Sequence, residues 1–217
     1  MKKTQLPTGW GVEQQITCVD GSTFQDVYGE HEIHFYGYDK NTDMVIFNRC
    51  KKEDPLPTYR RGIKVANQRA EVIFEDEEGE LGDIFQDEMP FDMNAPVIEI
   101  LPEDYGIWFV DAMDHPENYE GKTVKFKARV MKPRGMGSKF FVPGRTAMTC
   151  CADDTTFLGY VCKSAYAPKL TPGEWVEVTA KVGIEKRNEY QGEEGIVLDA
   201  EHVEQCDPLE DEMVYFN

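Results

Sequence analysis

At 217 residues the chain is long for one small domain and suits two. Hydrophobic residues make up 41% and charged residues 29%, a composition that supports a packed core and excludes wholesale disorder. Its 41 acidic residues against 23 basic ones leave a formal charge of −18. That field repels phosphate backbones and anionic lipid surfaces, so the sequence predicts no nucleic-acid partner and favours cations or basic proteins.

The opening MKKTQLPTGWGVEQQ carries two lysines with no apolar segment behind them. No later stretch approaches the roughly 20 apolar residues of a membrane helix. The expectation is a soluble, cytoplasmic chain with no direct membrane insertion. In that compartment thiols stay reduced, and the six cysteines are not read as three disulfides.

In chain order, Gln14–Asp20 (QQITCVD) has β-branched residues and runs into Asp-Gly, a strand followed by a turn. Asp43–Cys50 (DMVIFNRC) is a short continuous apolar run, the pattern of a strand in a parallel sheet. Thr58–Ala70 repeats apolar residues at Tyr59, Ile63 and Ala66 and suits an amphipathic helix weakened by Gly62. Ala70–Asp76 (AEVIFED) is a further short strand. Strand, helix and strand within about 30 residues is the size of one βαβ unit. Residues 1–79 are therefore read as a partial α/β segment. Residues 80–95, acidic and aperiodic, are read as a linker.

From 96 to 217 the pattern changes. Asp104–Tyr119 (DYGIWFVDAMDHPENY) predicts a short helix that stops before Pro116. Lys122–Val130 alternates Val124, Phe126, Ala128 and Val130 with polar partners, a half-buried strand. Phe140–Ala152, Thr156–Lys163, Glu174–Lys186 and Gly195–Gln205 complete five short strands. With one helix and glycine-rich turns they predict a small closed OB-like β-barrel. The fold class is thus mostly β, an OB-like barrel behind an incomplete α/β segment.

The densest chemistry lies in Met148–Cys162, MTCCADDTTFLGYVC. Adjacent residues of a regular strand face opposite sides, so Cys150 and Cys151 meet one ion only if the strand ends or bulges there. Asp153 and Asp154 follow and offer oxygen ligands. With a turn near Asp154, Cys162 would pair near Thr146, about four residues or roughly 13 Å along the ladder from Cys150. The spacing is not that of a zinc knuckle. Three readings stay open: one cysteine buried and one solvated, a soft-metal site (zinc or another) at Cys150, Cys151, Asp153 and Asp154, or a redox thiol. Cys18 and Cys50 read as packing residues. His31 and His34 read as polar loop. His202 and Cys206 lie too far apart on a strand to chelate one ion. Lys132, Arg134, Lys139 and Arg145 form a local basic patch with Phe140 and Phe141.

The segments YEGKTVKFKARVMKPR, FFVPGRTAMTCCADDTTFLGYVCK, WVEVTAKV and DPLEDEMVYFN resemble the YcgQ-type domain of unknown function, over about 96–217. That resemblance implies a link to a two-component permease system. The segments LPTGWGVEQQITCVDGSTFQDVY, DMVIFNRC and YRRGIKVANQRAEVIFEDEEGEL are similar to the second half of a CobW-type P-loop GTPase. In that family an Asn-Lys-x-Asp run reads the guanine base; here Asn48, Arg49, Cys50 and Lys51 stand in its place. Asn48 is the guanine-reading remnant, but Lys51 cannot accept the two hydrogen bonds an aspartate would. No G-x-x-x-x-G-K-[ST] occurs in the sequence, so no GTP binding or hydrolysis is expected of this chain. Together the resemblances imply a non-enzymatic accessory protein of metal-ion homeostasis, with a GTPase or permease component as its protein partner. The alternatives are a regulatory module that binds protein and no metal, and a degenerate GTPase subunit.

Overall fold

A computed structural model of the chain describes residues 12–24, 42–81, 89–151 and 154–214. The chain divides into two compact units, Met1–Gln86 and Asp87–Asn217. The division falls inside the stretch read as a linker.

In the first unit three strands form a wholly parallel sheet in the order β1 (Ile16–Asp20), β2 (Met44–Asn48), β3 (Glu71–Phe74). Helix α1 (Leu56–Ala66) joins β2 to β3, which makes the βαβ unit that the alternation of apolar runs predicts. Pro57 sits in the first turn of α1, where its missing N–H costs nothing. The helix buries Leu56, Tyr59, Ile63 and Val65. Gly62 is buried with them rather than breaking the helix. Phe24, Phe47, Tyr59 and Phe74 pack edge-on and stacked, with ring centroids 4.5 to 5.6 Å apart.

The second unit is mostly β. Its barrel strands are β5 (Thr123–Met131), β6 (Phe140–Cys151), β8 (Val161–Lys163), β9 (Trp175–Lys186) and β10 (Glu194–Gln205). Round the barrel the order is β5, β6, β8, β10, β9 and back to β5. Every junction is antiparallel except β8 to β10. This closed five-stranded arrangement is consistent with the small OB-like barrel expected. In β5 the four alternating residues Val124, Phe126, Ala128 and Val130 all face the core, which is the period-2 pattern turned into packing. Helix α2 (Tyr105–Asp114) closes one side. Its Trp108 packs tilted against Phe126 at 4.8 Å and meets Tyr160 edge-on at 5.6 Å. The Tyr160 hydroxyl donates to the Phe109 carbonyl at 2.5 Å, and Tyr105 donates to the Leu158 carbonyl at 3.0 Å.

Three short strands lie outside the barrel path. β4 (Ile98–Glu99) extends β5 in parallel. β7 (Asp154–Gly159) pairs only with the far half of β6, forming an arm. β11 (Met213–Val214) lies parallel to β6 at Thr146 and Ala147. Where barrel becomes arm, Gly144 stands opposite Gly159. A Cβ on Gly144 would sit 2.3 Å from the Leu158 carbonyl oxygen, and one on Gly159 would sit 2.6 Å from that of Pro143. Both positions require the bare backbone. Of the stretch read as linker, residues 89–95 lie on this unit: Phe91 is buried, and Lys122 Nζ donates to the Met93 carbonyl at 3.2 Å.

Candidate functional site

The two-cysteine stretch ends β6 at the tip of the β6–β7 arm. Met148 pairs with Thr155 and Cys151 pairs with Asp154, with a register shift between the two pairs. Thr149 and Cys150 therefore have no opposite residue on β7. This is a bulge of two residues, and it breaks the strict alternation of faces that would otherwise keep neighbouring cysteines apart. The backbone thus places Cys150, Cys151 and Asp154 at one end of one hairpin. Asp153 lies outside the described residues.

Cys162 is elsewhere. The expected pairing near Thr146 is incorrect: Thr146 faces Phe157 of β7, and Cys162 faces Phe141. The run Thr156–Lys163, read as one strand, is two. Tyr160 alone separates β7, which follows the arm and ends at Gly159, from β8, which enters the barrel. Cys162 is fully buried, and desolvation pushes its thiol far above the ordinary range. A thiol buried there lies in the barrel wall and not at the tip of the arm.

The basic patch is dismantled in part. Arg145 is only 2% exposed, and Phe141 is fully buried. The Arg145 guanidinium donates to three backbone carbonyls: Pro102, Asp211 at 3.0 Å and Met213 at 2.9 Å. It also lies 5.6 Å from the centre of the Tyr105 ring. Burial lowers its pKa from the usual guanidinium value. A surface role for Arg145 is thereby corrected to a structural one: it ties β11 and the 102 turn to β6. Lys132, Arg134 and Lys139 remain outside the core, and Lys132 Nζ reaches the Leu170 carbonyl at 2.5 Å.

In the first unit, Asn48 ends β2, beside Asp20 at the end of β1. Its Oδ1 is buried and has no hydrogen-bond partner among the described residues. Asp20 holds Arg49 and accepts from the Ser22 hydroxyl at 2.7 Å; the Ser22 bond leads in lowering its pKa. Cys50 is buried as expected, and desolvation pushes its thiol up to about 11. Cys18 does not pack inside; it is exposed on β1. His31 and His34 lie outside the described residues, while His202 pairs with Glu204 at 3.4 Å on the surface of β10. No cluster of three or more His, Cys, Asp or Glu side chains suited to a metal occurs among the described residues. No helix among them is long and apolar enough to cross a membrane.

A closed five-stranded barrel with a cysteine-bearing hairpin arm thus defines the second unit. Residues 80–216 match the model of the DUF1980 C-terminal domain, more than half of the chain, which therefore belongs to that family. No curated protein matches the chain. Among solved structures it is similar to the mitochondrial single-stranded DNA binding protein Rim1 of S. cerevisiae. That likeness is 10% identical, covers 40% of this chain and 95% of that one, and has a TM-score of 0.24. It is also similar to the aspartyl-tRNA synthetase of Entamoeba histolytica, at 15% identity and a TM-score of 0.28, covering 61% of this chain and 30% of that one. Likenesses at these scores carry no argument about function.

Proposed function

We propose that this chain is a non-enzymatic accessory protein of metal-ion homeostasis, and that the tip of the β6–β7 arm holds a soft metal ion through Cys150 and Cys151. The observation that carries this is the bulge between Met148 and Cys151, the backbone condition under which adjacent cysteines can converge. Thiolates favour zinc and copper(I), and Asp154, which pairs with Cys151 in the backbone register, offers an oxygen ligand, with Asp153 beside it in sequence. Two sulfurs and one carboxylate leave a tetrahedral ion with an open position, which suits handing the metal to a partner rather than storing it.

The partner fits the resemblance of residues 96–217 to the YcgQ-type permease-associated domain and of residues 1–79 to the second half of a CobW-type metallochaperone GTPase. We place the protein in the cytoplasm, where its thiols stay reduced. Asn48, with its unpartnered Oδ1, is kept as the remnant of a guanine-reading position, and no GTP turnover is assigned to this chain.

The test is titration of zinc and of copper(I) into reduced protein against a chromophoric chelator, alongside Cys150→Ser, Cys151→Ser and Cys162→Ser. Loss of binding in the first two and retention in the third is the expected pattern. Affinity falls as pH drops below neutral, because metal must displace thiol protons. Equal loss in all three variants, or no binding by the parent, refutes the proposal.

A further inference from the structure

We infer that the cleft between the loop after β5 and the loop after β9 is a binding site for a small polyanion carrying phosphate or carboxylate groups. The cleft is open to solvent, has a volume of about 600 Å³ and is lined by Arg134, Met136, Lys186, Arg187, Asn188 and Glu189, among others. Its volume lies in the range of small-ligand sites, but its lining is polar where most such sites are apolar. Three of the lining side chains are cationic and one is a carboxylate. On a chain of net charge −18 this is a local reversal of sign, and opposite-sign clefts concentrate the ions they attract.

The cations divide into two kinds. Arg187 is already held: its guanidinium meets Glu189 at 3.0 Å and Glu185 at 3.7 Å, and lies 4.4 Å over the Phe140 ring. Arg134 and Lys186 are exposed and form no ion pair among the described residues, although Glu194 stands opposite Lys186 on β10. Two exposed cations thus line one opening beside a third that is fixed in orientation. The β9–β10 wall is pinned without any ligand, because the Tyr190 hydroxyl donates to the Ile196 carbonyl at 2.5 Å and accepts from the Val161 N–H at 3.2 Å. A wall held in place lowers the ordering cost of binding.

The ligand is small rather than a nucleic-acid strand. Single-strand sites depend on aromatic faces on which bases stack. Of the rings beside this cleft, Phe140 is covered by Arg187, and Tyr190 is tied by its hydroxyl to the Ile196 carbonyl and the Val161 N–H.

The test uses the full chain, stripped of metal, in calorimetric titrations with inorganic tripolyphosphate, citrate and a thymidine oligomer. Binding of tripolyphosphate or citrate is expected, weakening as salt rises. Preference between the two identifies the ligand as phosphate-bearing or carboxylate-bearing. The Arg134→Gln/Lys186→Gln double variant, altered at exposed positions, should bind at least about tenfold more weakly, while Lys181→Gln on the same strand β9 leaves affinity unchanged. Absence of binding to both small probes overturns the proposal, as does equal loss in Lys181→Gln. Tighter binding of the oligomer than of either small probe replaces it with a single-strand site.

Discussion

Cys162 stands opposite Phe141 in the β6–β8 pairing, while Cys150 lies nine positions further along the same strand β6. At about 3.3 Å per residue the strand path between them is up to about 30 Å. Cys162→Ala should therefore leave metal binding intact while lowering stability by roughly 1 kcal/mol through the small cavity it opens. Chelator competition and urea unfolding of the same preparation check the two halves. Loss of binding in Cys162→Ala would contradict the register.

Arg145 satisfies three carbonyls from two separate parts of the second unit, the turn at Pro102 and the segment 211–213. Arg145→Met should cost about 2–4 kcal/mol, since the acceptors on Pro102, Asp211 and Met213 lose a buried donor together. The loss should appear first at β11. Hydrogen exchange is expected to show the amides of Met213 and Val214 opening well before those of β9. Uniform loosening of the barrel would assign Arg145 to the core at large instead.

Gly144→Ala and Gly159→Ala should each destabilise by about 1–3 kcal/mol or more, because the added methyl meets backbone carbonyl oxygen rather than a side chain that can swing aside. Thermal unfolding of both variants is the check. Gly192→Ala is a useful contrast: nothing lies within 4 Å of its Cβ position, so its cost comes from a positive φ of 87° alone, about 1 kcal/mol.

Alkaline pH should weaken the fold. Burial raises the thiols of Cys50, to about 11, and of Cys162, further still. These acids keep their protons when folded and release them when unfolded, so their stabilisation is complete below the ordinary thiol value of about 8.5. It declines as pH rises, by up to about 1.4 kcal/mol per pH unit for each such thiol. For Cys50 the decline ends near its folded value of about 11. Urea midpoints between about pH 7.5 and 10 should fall, and fall less in Cys50→Ala/Cys162→Ala. Buried Tyr105 and Tyr160, raised by desolvation, continue the decline above about pH 10 in that variant.

Much of the barrel is legible in the sequence because its signal is local. The alternation in β5 is itself the list of core residues. The βαβ unit likewise shows in two apolar runs flanking a 3.6-residue period. The failures are non-local. Arg145 reads as surface because its partners come from positions 102, 211 and 213, which no window around 145 contains. The register of Cys162 is not legible because the change from arm to barrel falls at Gly159, inside one continuous apolar run. The cleft beside Arg134 escaped as a site because half of its lining comes from the loop after β9, some fifty residues away in sequence.

The parallel junction of the barrel ring, between β8 and β10, has a consequence for how the molecule comes into being. Val161, Cys162 and Lys163 find their partners at Val197, Leu198 and Asp199, and β9 must already be laid down between β10 and β5 before that seam can shut. Ring closure therefore waits for β10, which begins about thirty residues after β8 in sequence. On the ribosome, β8 presents an unpaired edge until β10 is synthesised, and that interval is when the nascent chain is most exposed to mispairing with other strands.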